Sequence, residues 1–297
     1  MKSREEIFAE FIDKNVLINE TNEDDLIPSG QIIELSEEDL KNLDKAHEDL
    51  FEYQLFQRKI TEVRLNLSSY FEAIILLEEK LKKAPRSQRM AIQKDSFVNL
   101  NRHLTNFTAS FKSLIYDFLE EHRLPKIYGK NSEEVNKFTR KTNEWYNTNM
   151  SYRFLMKLRD FAIHYDFPIH SLGFDYDLNK HSEDVIEKVN CNVKFCKSHL
   201  LSNSKFRKQI IKQDLSSYNH EFPVNPILNG VQSIIDEIMP FLIDLSNGRY
   251  KESADLIISY YAKFKNPKYV SYGLVKKDLG LNSKILENEI ANEIKKY

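Results

Sequence analysis

Phe56, Ile60, Val63, Leu67, Tyr70, Ile74, Leu77 and Leu81 follow one another at alternating spacings of four and three, without a break. A seam with a period near 3.5 residues lies along one face of an α-helix. It does not fit a strand, whose faces repeat every two residues. The spacing predicts one long helix ending near Lys83, just ahead of Pro85. Upstream, Ser36 with Asp39 three residues later resembles a capping box that opens the helix. A second seam runs through Phe97, Leu100, Leu104, Phe107, Phe111, Leu114 and Phe118. Two such helices joined by a short turn predict an antiparallel hairpin.

Pro125 and Gly129 close the second helix, and Ser132 followed by Glu133 and Glu134 marks the start of a third. Val135, Phe138, Trp145, Tyr152 and Met156 form one stripe on it, with Thr142 and Asn149 as polar members, and Leu155, Leu158, Ala162 and Tyr165 form another. Two apolar faces imply two packing neighbours, or one neighbour and a partner chain. Pro168 disfavours helical geometry at Phe167, so the helix should stop near Asp166.

The expected fold is therefore mainly α. An acidic, partly extended arm over residues 1–35, with a turn at Pro28-Ser29-Gly30, precedes a long-helix bundle over 36–167. Residues 168–297 form a second, mostly helical region of unknown role. It should hold a short strand or two, one around Asn192–Phe195, and helices near 204–217, 226–245, 249–264 and 282–296.

Composition excludes several function classes. Only seven glycines are present, with no G-x-G-x-x-G, no G-x-x-x-x-G-K-[ST] and no G-x-S-x-G, which argues against nucleotide-fold enzymes and common serine hydrolases. No cofactor is expected. A net charge of −2 supplies no overall basic field, so contact with nucleic acid must rest on a local patch. The start carries no apolar h-region and no apolar stretch is long enough to span a bilayer, so a cytoplasmic setting without a membrane is expected.

The end of the third helix reads Arg159-Asp160-Phe161-Ala162-Ile163-His164. With this R-[N/D/H]-x3-H motif in a late helix behind a long helical hairpin, the chain resembles the HEPN superfamily of helical-bundle ribonucleases and their inactive relatives. The architecture over 36–166 agrees, while the specific part is the motif alone. A chain of this composition produces it by chance roughly 0.05 times, so motif and helix together carry the resemblance.

The resemblance implies metal-independent RNA cleavage by a homodimer that pairs its motifs across the interface, in a toxin or defence effector with a regulatory protein partner. His164 would move protons, Arg159 would neutralise phosphoryl charge, and Asp160 would orient one of them. Asp160 stands where the family more often has Asn, and an aspartate repels phosphate. Tyr165 follows the histidine directly, so an R-x4-H-x-Y pattern is not met. On the stripe through Tyr152 and Met156, the guanidinium of Arg159 must be paired or used. His164 lies five residues further, about 140° around an ideal helix.

Other readings stay open beside this one. Arg159 and Asp160 fit equally a helix C-terminal cation with a solvated neighbour, and the bundle fits a non-catalytic dimerisation or protein-binding module. Lys83, Arg86 and Arg89, with Lys80, Lys82 and Lys94, cluster at the hairpin tip, as an RNA-binding patch or as a solvated turn. Cys191, Cys196 and His199, with His181 upstream, have zinc-like spacing, yet thiols five apart on a strand point to opposite faces. No helical or hairpin spacing joins His164, His170, Asp175 and Asp177 into a metal set.

Overall fold

The computed structural model of the protein describes residues 9–20, 32–179, 182–204, 206–207, 209–264, 267, 269–275, 281–286 and 288–296. Among them the chain is mainly helical. In order, the elements are β1 (Asn15–Glu20), β2 (Ile32–Glu34), α1 (Glu37–Lys83), α2 (Arg86–Lys112, continued as a π-helix over Ser113–Arg123) and α3 (Leu124–Tyr128). Then come α4 (Glu133–Thr148), α5 (Met150–His164), β3 (Ser171–Asn179), β4 (Ser182–Cys196), α6 (Lys197–Ser202), α7 (Gln209–Asp214) and β5 (Glu221–Pro223). The rest are α8 (Asn225–Asn229), α9 (Gln232–Leu245), α10 (Arg249–Tyr261), β6 (Tyr269–Val275), β7 (Leu281–Ile285) and α11 (Asn288–Ile294). They fall into two compact units, residues 1–57 with 240–297, and residues 58–239.

The first unit is built on an antiparallel sheet in the order β2-β1-β6-β7. β1 is flanked on both edges, and Val16, Leu17 and Ile18 are all fully buried, as an inner strand covered on both faces requires. The N-terminal segment thus takes an extended form by pairing with residues more than 200 positions away, which no local pattern reveals. The turn expected at Pro28-Ser29-Gly30 lies outside the described residues. The capping box at the start of α1 is present: Ser36 Oγ accepts from Asp39 N at 3.0 Å, and Asp39 Oδ2 accepts from Ser36 N at 3.1 Å. Further along α1, the buried carboxylates of Asp49 and Glu52 take Arg249 at 3.2 and 2.6 Å, with Ser253 and Tyr250 donating to them as well. The helix expected near 282–296 is instead β7, in register with β6, followed by α11.

The second unit holds the helical hairpin. Every seam residue of α1 from Ile60 to Leu81 is buried, as are Leu100, Leu104, Phe107, Phe111 and Leu114 of the second seam. Asn66 donates to Ser110 Oγ across the hairpin at 3.0 Å. Gly129 ends α3 at φ 92°, a left-handed-side conformation that a side chain would strain. Ser132 caps α4 as expected, accepting from Val135 N at 3.2 Å.

The third helix, however, is two helices. Asn149 is extended (φ −111°, ψ 108°) and serves as the C-cap of α4 and the N-cap of α5, its Oδ1 accepting from Tyr152 N at 2.9 Å. Tyr152, Phe154, Leu155, Leu158 and Phe161 of α5 are buried within the same chain. Tyr152 meets Phe111 edge-on, with ring centres 5.9 Å apart, and Phe154 sits against Phe195, Phe206 and Phe222 at 5.1 to 6.0 Å. Two of those rings come from a three-stranded sheet, β3-β4-β5, in which Val189, Cys191, Val193 and Phe195 alternate inward along β4. The strand expected at Asn192–Phe195 is the end of that longer strand. No helix among the described residues is long and apolar enough to cross a membrane.

Candidate functional site

The position of the motif is set at the other end of α5. Arg153, almost buried, places Nε and Nη2 on the Asp214 carboxylate at 2.9 and 2.7 Å, and its Nη1 reaches the carbonyls of Tyr146 and Asn147 that α4 leaves open. Asn149 Nδ2 donates to Gly230 O at 2.8 Å. Gly230 in turn lies so close to Ser151 that an added Cβ would come within 2.3 Å of its Oγ and 2.9 Å of its Cβ. The start of α5 is thereby clamped to α7 and to the turn before α9, and its last two turns are aimed from there.

On those turns Asp160 Oδ1 accepts from Lys112 Nζ at 2.8 Å and from Arg159 Nη1 at 3.1 Å. Burial works against ionisation of this carboxyl, but the two cations outweigh it and hold it below the usual carboxylate range. Arg159 is paired on one side only: its Nε is buried without a hydrogen-bond partner. His164 is exposed in the last turn. A cleft of about 560 Å³ is lined by Lys157, Asp160, Phe161, His164, Asn203, Ser204 and Phe206.

Lys157, Asp160 and His164 are three and four residues apart, so they form one stripe on α5. Arg159 falls off that stripe and does not line the cleft. Lys157, which lines the cleft, and Lys112, which bonds Asp160, are the cations beside the motif that its pattern does not include. Lys157 was legible in the same three-four spacing, whereas Lys112 comes from α2 and left no local signal.

The hairpin-tip cations stand elsewhere. Lys83 and Arg86 are exposed, and Arg89 Nε caps α1 by donating to Ala84 O at 3.1 Å. Along α2, Arg86 is separated from Lys112 by about 39 Å of helix, so the tip and the cleft are separate surfaces.

The remaining chemistry-bearing residues do not converge. Cys191 is buried with its backbone N–H on Glu78 Oε1, and burial, with the charge of Glu78, pushes its thiol up to about 12. Cys196 lies with Ser198 Oγ at 3.2 Å and His220 Nε2 at 3.4 Å. His199 faces Asp166 at 3.5 Å and the rings of Phe161 and His170 at 5.4 Å, and Asp175 accepts from Asn192. His181 lies outside the described residues, and among those described no group of three or more His, Cys, Asp or Glu could hold a metal ion. No family model matches the chain, and no curated protein or solved structure is significantly similar to it.

Proposed function

We propose that the cleft at the end of α5 is a metal-independent RNA-cleaving site of the HEPN type, carried by Arg159, Asp160 and His164 and completed in a homodimer. The observation that carries the reading is the double ion pair on Asp160. An aspartate beside a phosphate would repel it, but Lys112 and Arg159 offset that charge within hydrogen-bond distance, and Lys157 adds a further cation to the same lining. His164 then faces a cleft in which an RNA phosphate is tolerated.

The chemistry draws on the substrate's own nucleophile. The 2′-oxygen forms a bond to phosphorus as its proton leaves to a base, the bond from phosphorus to the 5′-oxygen breaks, and that oxygen takes up a proton. His164 serves these transfers, and the cations stabilise the charge on the phosphoryl oxygens. Within one chain Arg159 and His164 sit on different sides of α5 (about 140° apart). Two copies joined at the ends of α5 bring the Arg159 of one toward the His164 of the other. Ile163, Tyr165 and Phe167, which flank His164, are 45 to 53% exposed and supply an apolar surface for that contact.

In this reading the protein is a cytoplasmic toxin or defence effector, held in check by a regulatory protein partner. The test is cleavage of single-stranded RNA by purified protein with and without EDTA. Unchanged cutting with EDTA and product ends bearing a 2′,3′-cyclic phosphate support the reading; loss of cutting with EDTA overturns it. A non-catalytic dimerisation or protein-binding module is the second reading. It is favoured by the same ion pairs, since Arg159 bonded to Asp160 also fits a purely structural contact.

A further inference from the structure

A second cavity, of about 400 Å³, adjoins the cleft: Lys157 lines both, and Lys112, which bonds Asp160 of the first, lines the second. The volume suits a small organic group. Its walls include Tyr116 and Glu120 from the π-helix, Tyr146 from α4, and Tyr152 and Met156 from α5. Two features set it apart from a packing defect. Three tyrosine rings and a carboxylate converge on a space bordered by two lysines, and the segment bearing Tyr116 and Glu120 winds as a π-helix, a rare form that recurs at functional sites. Among the described residues the Glu120 carboxyl accepts a single long contact, from Thr139 Oγ1 at 3.4 Å. Burial, with the neighbouring charge of Glu121 adding to it, holds it above the usual carboxylate range.

We propose that this cavity is the base subsite of the RNA cleft and that it takes guanine. The inference rests on the cleavage reading of the adjoining cleft. A single-stranded base is held by stacking on aromatic side chains and by hydrogen bonds to its Watson–Crick edge. Tyr116 and Tyr146 supply the stacking faces. An ionised carboxylate only accepts, so it matches an edge that presents two adjacent donors. Guanine alone among the four bases does so, with N1–H beside the N2 amino group. Lys112 and Lys157, between the two spaces, meet the phosphate that links the base to the scissile bond.

Binding is readable without cleavage, because Trp145 is the chain's one tryptophan and its ring lies 6.0 Å from that of Tyr152. The 297-residue chain is titrated with 5′-GMP, 5′-AMP, 5′-CMP and 5′-UMP, following Trp145 fluorescence. The titration is repeated with a 2′-deoxy tetranucleotide that carries one guanine and cannot be cut. Saturable quenching by GMP, with the other three weaker by about tenfold or more, is the expected result. Glu120→Gln, checked to melt with wild type, should weaken GMP by a similar factor, and the tetranucleotide should bind more tightly than GMP.

No saturable response to GMP, equal responses to all four nucleotides, or unchanged GMP binding in Glu120→Gln would overturn the proposal. Equal affinity for GMP and the tetranucleotide would make the cavity a site for free guanine nucleotides and overturn the RNA subsite. Selective GMP binding by a protein that cuts no RNA would sink the cleavage reading and leave the guanine site standing. RNA cutting without base preference would do the reverse.

Discussion

At Asp160 two cations from different helices share one carboxylate oxygen, and that contact has a measurable pH signature. Its pKa is lowered in the folded protein, so the contribution is fully present above the unfolded value near ~3.9 and is lost as pH falls through the folded one. Asp160→Asn should therefore lower the melting temperature at neutral pH, and the gap to wild type should begin to narrow only below about pH 4, closing as pH falls through the folded pKa. With the side chain about a third exposed, the neutral-pH loss should stay under about 1 kcal/mol. A gap that stays constant as pH is lowered from neutral through the acid range would show that Asp160 acts by packing and not by charge. Gly230 offers a steric counterpart. Gly230→Ala drives a methyl into Ser151 and should cost about 1 to 3 kcal/mol in a denaturant titration, whereas Gly230→Ala combined with Ser151→Gly should recover most of it.

Among the elements, the break between α4 and α5 decides where the motif points. Asn149→Ala removes the cap on Tyr152 N and the bond to Gly230 O, and should destabilise the protein by about 1 to 2 kcal/mol. Arg153→Met strands the Asp214 carboxylate in a nearly buried setting and should cost about 3 kcal/mol or more. Denaturant unfolding with an unchanged slope reads both. The long hairpin was legible because its seams keep one period over many turns, and the Ser36 and Ser132 caps because their partners lie three residues away. The Asn149 break was hidden: the apolar stripe runs through it at the right spacing, and the groups that stabilise it, Arg153, Asp214 and Gly230, come from both sides of a long sequence gap. The place of β1 was hidden for the same reason, since it pairs with β6 more than 200 positions away. Of the site, Arg159, Asp160 and His164 were readable as a motif, while Lys112 reached Asp160 only through the packing of α2 on α5.

At the scale of the molecule, the proposed site needs two chains, because one chain leaves Arg159 outside the cleft that His164 lines. Ile163→Glu puts a charge into the exposed apolar surface beside His164, and should shift the mass in solution from dimer to monomer and lower RNA cutting with it. A wild-type protein that is monomeric at micromolar concentration would remove the composite site. The most direct measurement mixes two inactive variants. Arg159→Ala and His164→Ala should each abolish RNA cleavage while leaving the fold intact. In a mixed dimer, one site then carries both defects and the other carries neither. Equal mixing after subunit exchange should restore about a quarter of wild-type cleavage, since half the dimers are mixed and each has one intact site. A mixture as inactive as its components, with exchange verified by mass, would contradict a site shared between two chains.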